Sequence, residues 1–142
     1  MKTSARNQFA GTVRNVESGP VTTEVSLEIA GGHTLAATLT TASAKRMNLQ
    51  RGQQALALIK ASSVVLVTDN DGYLLSARNQ LTGTVARVDR GAVSTVVGLS
   101  LPGGAEVTAT ITNEAVDDLR LRPGQSATAI FKAYQVFVAV KA

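Results

Sequence analysis

Residues 4 to 69 return, without a gap, as residues 76 to 141. At this offset of 72 positions, the distance from Ser4 to Ser76, 27 of the 66 aligned pairs are identical. The agreement begins with Ser4-Ala5-Arg6-Asn7, repeated unchanged as Ser76-Ala77-Arg78-Asn79. Independently built segments would not match at this level without one insertion, so the chain is one module duplicated in tandem, divided as residues 1–71 and 72–142. The period exceeds the roughly 20–50 residues of solenoid units, so each copy is expected to close as a domain rather than stack as an open array.

A module of about 70 residues is near the size below which a single core rarely stabilises a fold. Association of the two halves, or of several chains, is therefore expected on physical grounds alone. Hydrophobic residues make up 44% of the chain and charged residues 17%, which excludes disorder and leaves much surface to bury. The apolar set is Val, Ala, Leu and Ile, mixed with Thr, Ser and Gly, the composition of short β-strands. No cysteine is present, so disulfides and thiolate metal sites are closed. No apolar run reaches the ~18 residues of a membrane helix. The first residues carry charge with no apolar stretch behind it, unlike a secretory signal, so a cytoplasmic location is expected.

Hydrophobic alternation predicts five strands per copy. In copy one these are Phe9–Val16, Val21–Ile29, His33–Thr40, Gln53–Lys60 and Val64–Thr68, with Gly11 marking a bulge or close backbone approach and Gly31-Gly32 a hairpin. Between the third and fourth strands the period changes to helical: Thr40 is a capping residue, Ala-rich turns follow, and Lys45 and Arg46 suit the C-terminal end of the dipole. Asn70-Asp71-Gly72 turns the chain into copy two. There the strands are Leu81–Val88, Val93–Leu101, Ala105–Thr112, Gln125–Lys132 and Val136–Val140, with a helix over 113–119. Five strands with one helix between the third and fourth give the element order of an OB-like Greek-key barrel. The expected fold is mainly β: two tandem OB-like five-stranded barrels, each with one short helix.

Catalytic constellations are missing. The one histidine, His33, is Ala105 in the other copy, and no phosphate-loop or nucleophile-elbow motif occurs. Of the ten acidic residues, Glu24 aligns with Val96 and Glu28 with Ser100, so no carboxylate pair is shared for acid–base work. An enzyme is not expected. The shared polar residues are instead donors: Ser4, Arg6, Asn7, Thr40 and Lys60 correspond to Ser76, Arg78, Asn79, Thr112 and Lys132. Cations with hydroxyls, and no shared carboxylate to neutralise them, suit a small oxyanion. Thr40 stands where a strand becomes a helix, and a helix start offers unpaired N–H groups to an anion.

Ser-Ala-Arg-Asn, the following Gly-Thr-Val, the central Gly-Gly, the Thr-rich helix start and Lys-Ala before the last strand, all read twice, resemble the Mop domain, a molybdate- and tungstate-binding module. The tandem arrangement resembles the cytoplasmic di-Mop molbindins of the ModG type. The resemblance implies an OB-like barrel per domain, oxyanion sites between domains, and a homotrimer presenting six of them. Its motif falls on Ser4, Ala5 and Arg6 and again on Ser76, Ala77 and Arg78. Lysine with its small neighbour falls on Lys60 and Ala61, then Lys132 and Ala133. The helix-start contacts fall on Thr40 and Ser43, then Thr112 and Ala115, where the missing hydroxyl would leave a backbone N–H. Family members also have sites on the three-fold axis, for which the turns Gly19–Thr22 and Gly91–Ser94 are the candidates. Mop domains are also found fused to regulators and transporter ATPases. With only binding modules in this sequence, storage or homeostasis of molybdate or tungstate is the expected role, with no cofactor.

Two other readings compete. An OB fold with net charge +4 would permit single-stranded nucleic acid, but Phe9, Tyr73, Phe131, Tyr134 and Phe137 are not repeated between the copies, so no stacking platform is visible. A pterin carrier is disfavoured because compact donor clusters suit a small anion better than a ring system. Neither nucleic acid nor membrane is an expected partner.

Overall fold

A computed structural model describes the chain from Met1 to Ala142. The first repeat forms β1 (Asn7–Ser18), β2 (Thr22–Ile29), β3 (Thr34–Thr40), α1 (Thr41–Arg46), β4 (Gln54–Ile59) and β5 (Val65–Val67). The second forms β6 (Asn79–Arg90), β7 (Ser94–Ser100), β8 (Glu106–Thr112), α2 (Asn113–Leu119), β9 (Ser126–Phe131) and β10 (Phe137–Ala139). The fold is mainly β, with the expected elements and one short helix per repeat.

Alternation places the side chains. Along β2, Thr23, Val25, Leu27 and Ile29 point inward while their neighbours face outward, as a period of two on a pleated strand requires. Val21, expected to open this strand, lies in the preceding turn and is 74% exposed. Gly11 is the close approach that its place in the strand suggested: a Cβ there would sit 2.7 Å from the Glu28 carbonyl oxygen. The bulge comes later, between Val13 and Asn15, and recurs between Val85 and Arg87.

The sheets do not follow the repeats. One sheet has the order β10-β4-β1-β2-β3 and the other β5-β9-β6-β7-β8. Each repeat supplies four strands of its own sheet and sends its last strand to the other. Phe137, Val138 and Ala139 of the second repeat pair with Leu58, Ala57 and Leu56 of the first. Val65, Leu66 and Val67 pair with Ile130, Ala129 and Thr128 in return. The visiting strand also approaches the far edge of its host sheet, β10 near β3 and β5 near β8, curling each sheet into the OB-like barrel.

A single 3-10 turn precedes each crossing strand, Ala61–Ser63 packed against β8 and Ala133–Gln135 packed against β3. The two glycine hairpins also meet. Gly31 lies so close to the second repeat that a Cβ on it would be 2.6 Å from the Pro102 carbonyl oxygen, and His33 Nε2 lies 2.6 Å from that same oxygen. The result is one continuous core of 25 buried residues drawn from both halves, which answers the size problem of a lone 70-residue module.

Candidate functional site

The repeated motif sits where the two barrels touch. Its last residue is buried in each copy, Asn7 at 2% and Asn79 at 1% exposure. Asn79 Nδ2 donates to the Ala36 carbonyl at 2.9 Å and its Oδ1 accepts from the Ala36 N–H at 2.7 Å. Asn7 treats Thr108 the same way, at 2.8 and 2.7 Å. Asparagine carries one donor and one acceptor in the geometry of a peptide group, so each side chain completes the other repeat's edge strand. Grouped by sequence with the anion donors, these two amides are spent on joining the barrels. That role was visible only as an unchanged Asn in both copies.

The residue before Asn79 is bound to the same sheet. Arg78 reaches Glu24 on β2, whose register partner on β3 is Thr38. Asn79 and Arg78 are thus both bound to the first repeat's sheet, one at β3 and the other at β2. Ser76 is exposed, Ala77 buried and Arg78 exposed, so hydroxyl and guanidinium face outward on either side of a residue anchored in the interface.

Lys132 Nζ donates to Ser76 Oγ at 3.2 Å. The structure therefore brings together the two ends of the second repeat's predicted donor set, 56 positions apart in sequence. Buried Ala133 holds the lysine's position against β3. In the first repeat Ser4, Arg6 and Lys60 are exposed and make no side-chain hydrogen bond or ion pair within the chain, and Lys60 precedes buried Ala61. Ala5 is half-buried.

The helix starts are built as the capping residues imply. Thr40 Oγ1 accepts from the Ser43 N–H at 3.1 Å and donates to Ser43 Oγ at 2.9 Å. The Ser43 hydroxyl proton is left without an acceptor in the chain. Thr112 Oγ1 accepts from the Ala115 N–H at 3.1 Å, so that N–H is engaged, and the Thr112 hydroxyl proton is the one available. Each repeat is left with one uncommitted hydroxyl donor at its helix start, from different residues. No hydrogen bond links these hydroxyls to the Ser–Arg–Lys set within one chain.

The turns at Gly19–Thr22 and Gly91–Ser94 are pinned to these helix starts. Buried Thr23 bonds Thr41 at 2.9 Å, and Thr41 donates to the Gly19 carbonyl at 2.8 Å. In the second repeat Thr95 donates to Asn113 at 2.6 Å, which donates to the Gly91 carbonyl at 2.9 Å.

The electrostatics of the two repeats differ. Both guanidinium nitrogens of Arg78 are held by the two carboxylate oxygens of Glu24, at 2.7 and 2.5 Å. These hydrogen bonds, with the carboxylate's charge and a smaller contribution from Glu17, raise the Arg78 pKa above its usual value. Glu24 aligns with Val96, and Arg6 has no such partner. A groove of about 710 Å³ between β4 and the chain end, lined by Leu56, Ala139 and Val140 among others, contains none of the donors. Of the aromatic residues, Phe9 and Phe131 are core, while Tyr73, Tyr134 and Phe137 are exposed.

Comparison with known proteins gives this arrangement a family. The TOBE domain model matches twice, over residues 3–66 and 75–138. The molybdenum transport protein ModE of Herbaspirillum seropedicae is 60% identical over 141 residues, and the molybdenum-pterin-binding protein MopA of Rhodobacter capsulatus 44% over 140. The alignments cover 99% of this chain but 52% and 53% of those proteins, so the chain spans about half the length of the curated relatives it matches. A crystal structure of the cytoplasmic molybdate-binding protein ModG, with molybdate bound, superimposes with a TM-score of 0.96 at 48% identity, covering 99% of this chain and all of that one. With two matched domains, an exchanged-strand barrel pair and a full-length structural counterpart, the chain belongs to the TOBE-domain family, as a tandem molbindin of the ModG kind.

Proposed function

We propose that this chain binds molybdate, and tungstate, as the intact tetrahedral dianion, for storage and homeostasis in the cytoplasm, and that it is not an enzyme. The single observation that carries the reading is the Lys132–Ser76 contact of 3.2 Å. It sets an ammonium and a hydroxyl side by side at the surface, on backbone held rigid by buried Ala77 and Ala133. The site residues are Ser4, Ala5, Arg6, Lys60 and Ala61 in the module 1–71, with Ser76, Ala77, Arg78, Lys132 and Ala133 in the module 72–142. The helix starts contribute Thr40 and Ser43, and Thr112 with Ala115.

Every charged donor in this set is exposed in the single chain. An anion held there would keep most of its water, and charge-assisted hydrogen bonds strengthen only as water is excluded. This favours sites closed by a neighbouring copy, a homotrimer being the assembly the family suggests, with the turns Gly19–Thr22 and Gly91–Ser94 around its axis. The molybdate carried by the ModG structure supports the ligand. No helix of the chain is long and apolar enough to cross a membrane. Isothermal titration with molybdate, tungstate and sulfate, on protein of measured oligomeric mass, tests the reading. Molybdate and tungstate binding well above sulfate is expected. Equal response to all three, or none, would refute it.

A further inference from the structure

Resting on that reading, we propose that Glu24 is an internal competitor for the anion at Arg78, so that the second repeat's donor set is intrinsically weaker than the first's. One face of a guanidinium that recognises an oxyanion is its pair of terminal nitrogens, each giving one N–H to one of two oxygens. In Arg78 both are taken by Glu24. A carboxylate thus stands in for two oxygens of the tetrahedral dianion, and an anion at Ser76 and Lys132 gains that face only by displacing it, or else takes the remaining N–H groups with a carboxylate still beside it.

The competitor belongs to this repeat alone. Glu24 projects from β2, where it lies opposite Glu17 on β1 and Thr38 on β3. The position equivalent to Glu24 is Val96 on β7, which has no charge to offer, and Arg6 makes no ion pair or side-chain hydrogen bond. After displacement, Glu24 still leaves a negative charge beside a bound dianion, and Glu17 adds a second one across the strand pair. The Arg6 set has no counterpart to the first of these. Two donor sets that share the same Ser, Arg and Lys are therefore unequal in affinity through a residue outside either motif.

The pair is solvent-exposed, with 59% of the Arg78 and 36% of the Glu24 side chain accessible. Exposed ion pairs are weak, so the competitor lowers affinity without abolishing binding, by about two- to fivefold.

The test is titration of sodium molybdate into the intact wild-type protein and into Glu24→Gln, with Glu28→Gln as a charge-matched control whose carboxylate pairs instead with Arg14. The wild type should show two classes of site. Glu24→Gln should strengthen the weaker class about two- to fivefold, leave the tighter one unchanged, and exceed the control. Val96→Glu, the mirror change, should weaken the tighter class. If Glu24→Gln strengthens both classes equally, or no more than Glu28→Gln does, or leaves the isotherm unaltered while molybdate still binds, the competitor is refuted and the binding function stands. Absence of molybdate binding in the folded wild type refutes the function, and the competitor with it.

Discussion

Asn79 lies across Ala36 as if it were one more residue of a sheet, its Nδ2 donating to the carbonyl at 2.9 Å and its Oδ1 accepting from the N–H at 2.7 Å. Removing the side chain leaves a backbone donor and acceptor buried without partners. Asn79→Ala should therefore cost about 2–4 kcal/mol of stability. Asn7→Ala should cost a similar amount, by the equivalent bonds to Thr108. Urea unfolding monitored by far-UV circular dichroism checks both, with the exposed Gln8→Ala as a control near zero.

The crossing strands make an odd prediction about where damage appears. Deleting residues 137–142 removes sequence of the second repeat but uncovers the Leu56–Leu58 edge of β4 in the first. Hydrogen exchange should accelerate at β4 amides more than at β9, which keeps β5 as its neighbour. The reverse order would mean that the strands return to their own repeats.

Gly83 admits no Cβ, because the Ser100 carbonyl oxygen occupies its place, and backbone cannot yield as a flexible side chain can. Gly83→Ala should destabilise by about 1–3 kcal/mol. Gly11→Ala, where the clearance to the Glu28 carbonyl oxygen is 2.7 Å, should cost less. Thermal melts of the two variants side by side test the ranking.

For the proposed site, Arg6→Ala and Lys60→Ala should each weaken molybdate binding about 10- to 100-fold, the range of a lost charge-assisted hydrogen bond. Both side chains are exposed and make no hydrogen bond or ion pair within the chain, so the melting temperature without ligand should not change. Unaltered affinity in either variant would remove that residue from the site.

Arg90 and Asp117 supply a pH signature. Asp117 on α2 is held below its usual carboxylate range, by the Arg90 hydrogen bonds first and its charge as well. A depressed folded pKa stabilises the fold above the unfolded value, about 3.9, and that contribution is lost as pH falls through the folded one. Asp117→Asn should melt slightly below wild type at pH 7, and the gap should close in acid below about pH 4. A gap that persists there would have another origin.

How far the sequence was legible follows from what alternation encodes. A period of two identifies a strand and its buried face, so the residues of β2 and β8 were readable, and the helix over 113–119 followed from its cap and the change of period. Partner choice is different. Val65–Val67 and Phe137–Ala139 would complete either sheet, and nothing in three short apolar residues states which. The exchange depends on the direction taken by the 3-10 turns after Lys60 and Lys132, a geometric matter. Asn7 and Asn79 are ambiguous in sequence for a related reason, since an amide donor for a ligand and an amide donor for a strand edge are the same residue type. The Glu24–Val96 mismatch was in plain view as a lost acid. Its meaning needed the contact between Arg78 and β2.

A single copy of this repeat, cut free, would have to find its fifth strand on another molecule, and its folding would then depend on how much protein is present. The connection from Thr68 to Arg78 changes the order of that reaction. Tethering holds the partner at an effective concentration in the millimolar range for short linkers, far above what a cell protein would reach by diffusion. Barrel completion becomes first-order and independent of dilution. The same reciprocity carries a hazard: at high concentration β5 of one chain can be captured by β9 of the next, and a run of such captures has no natural end.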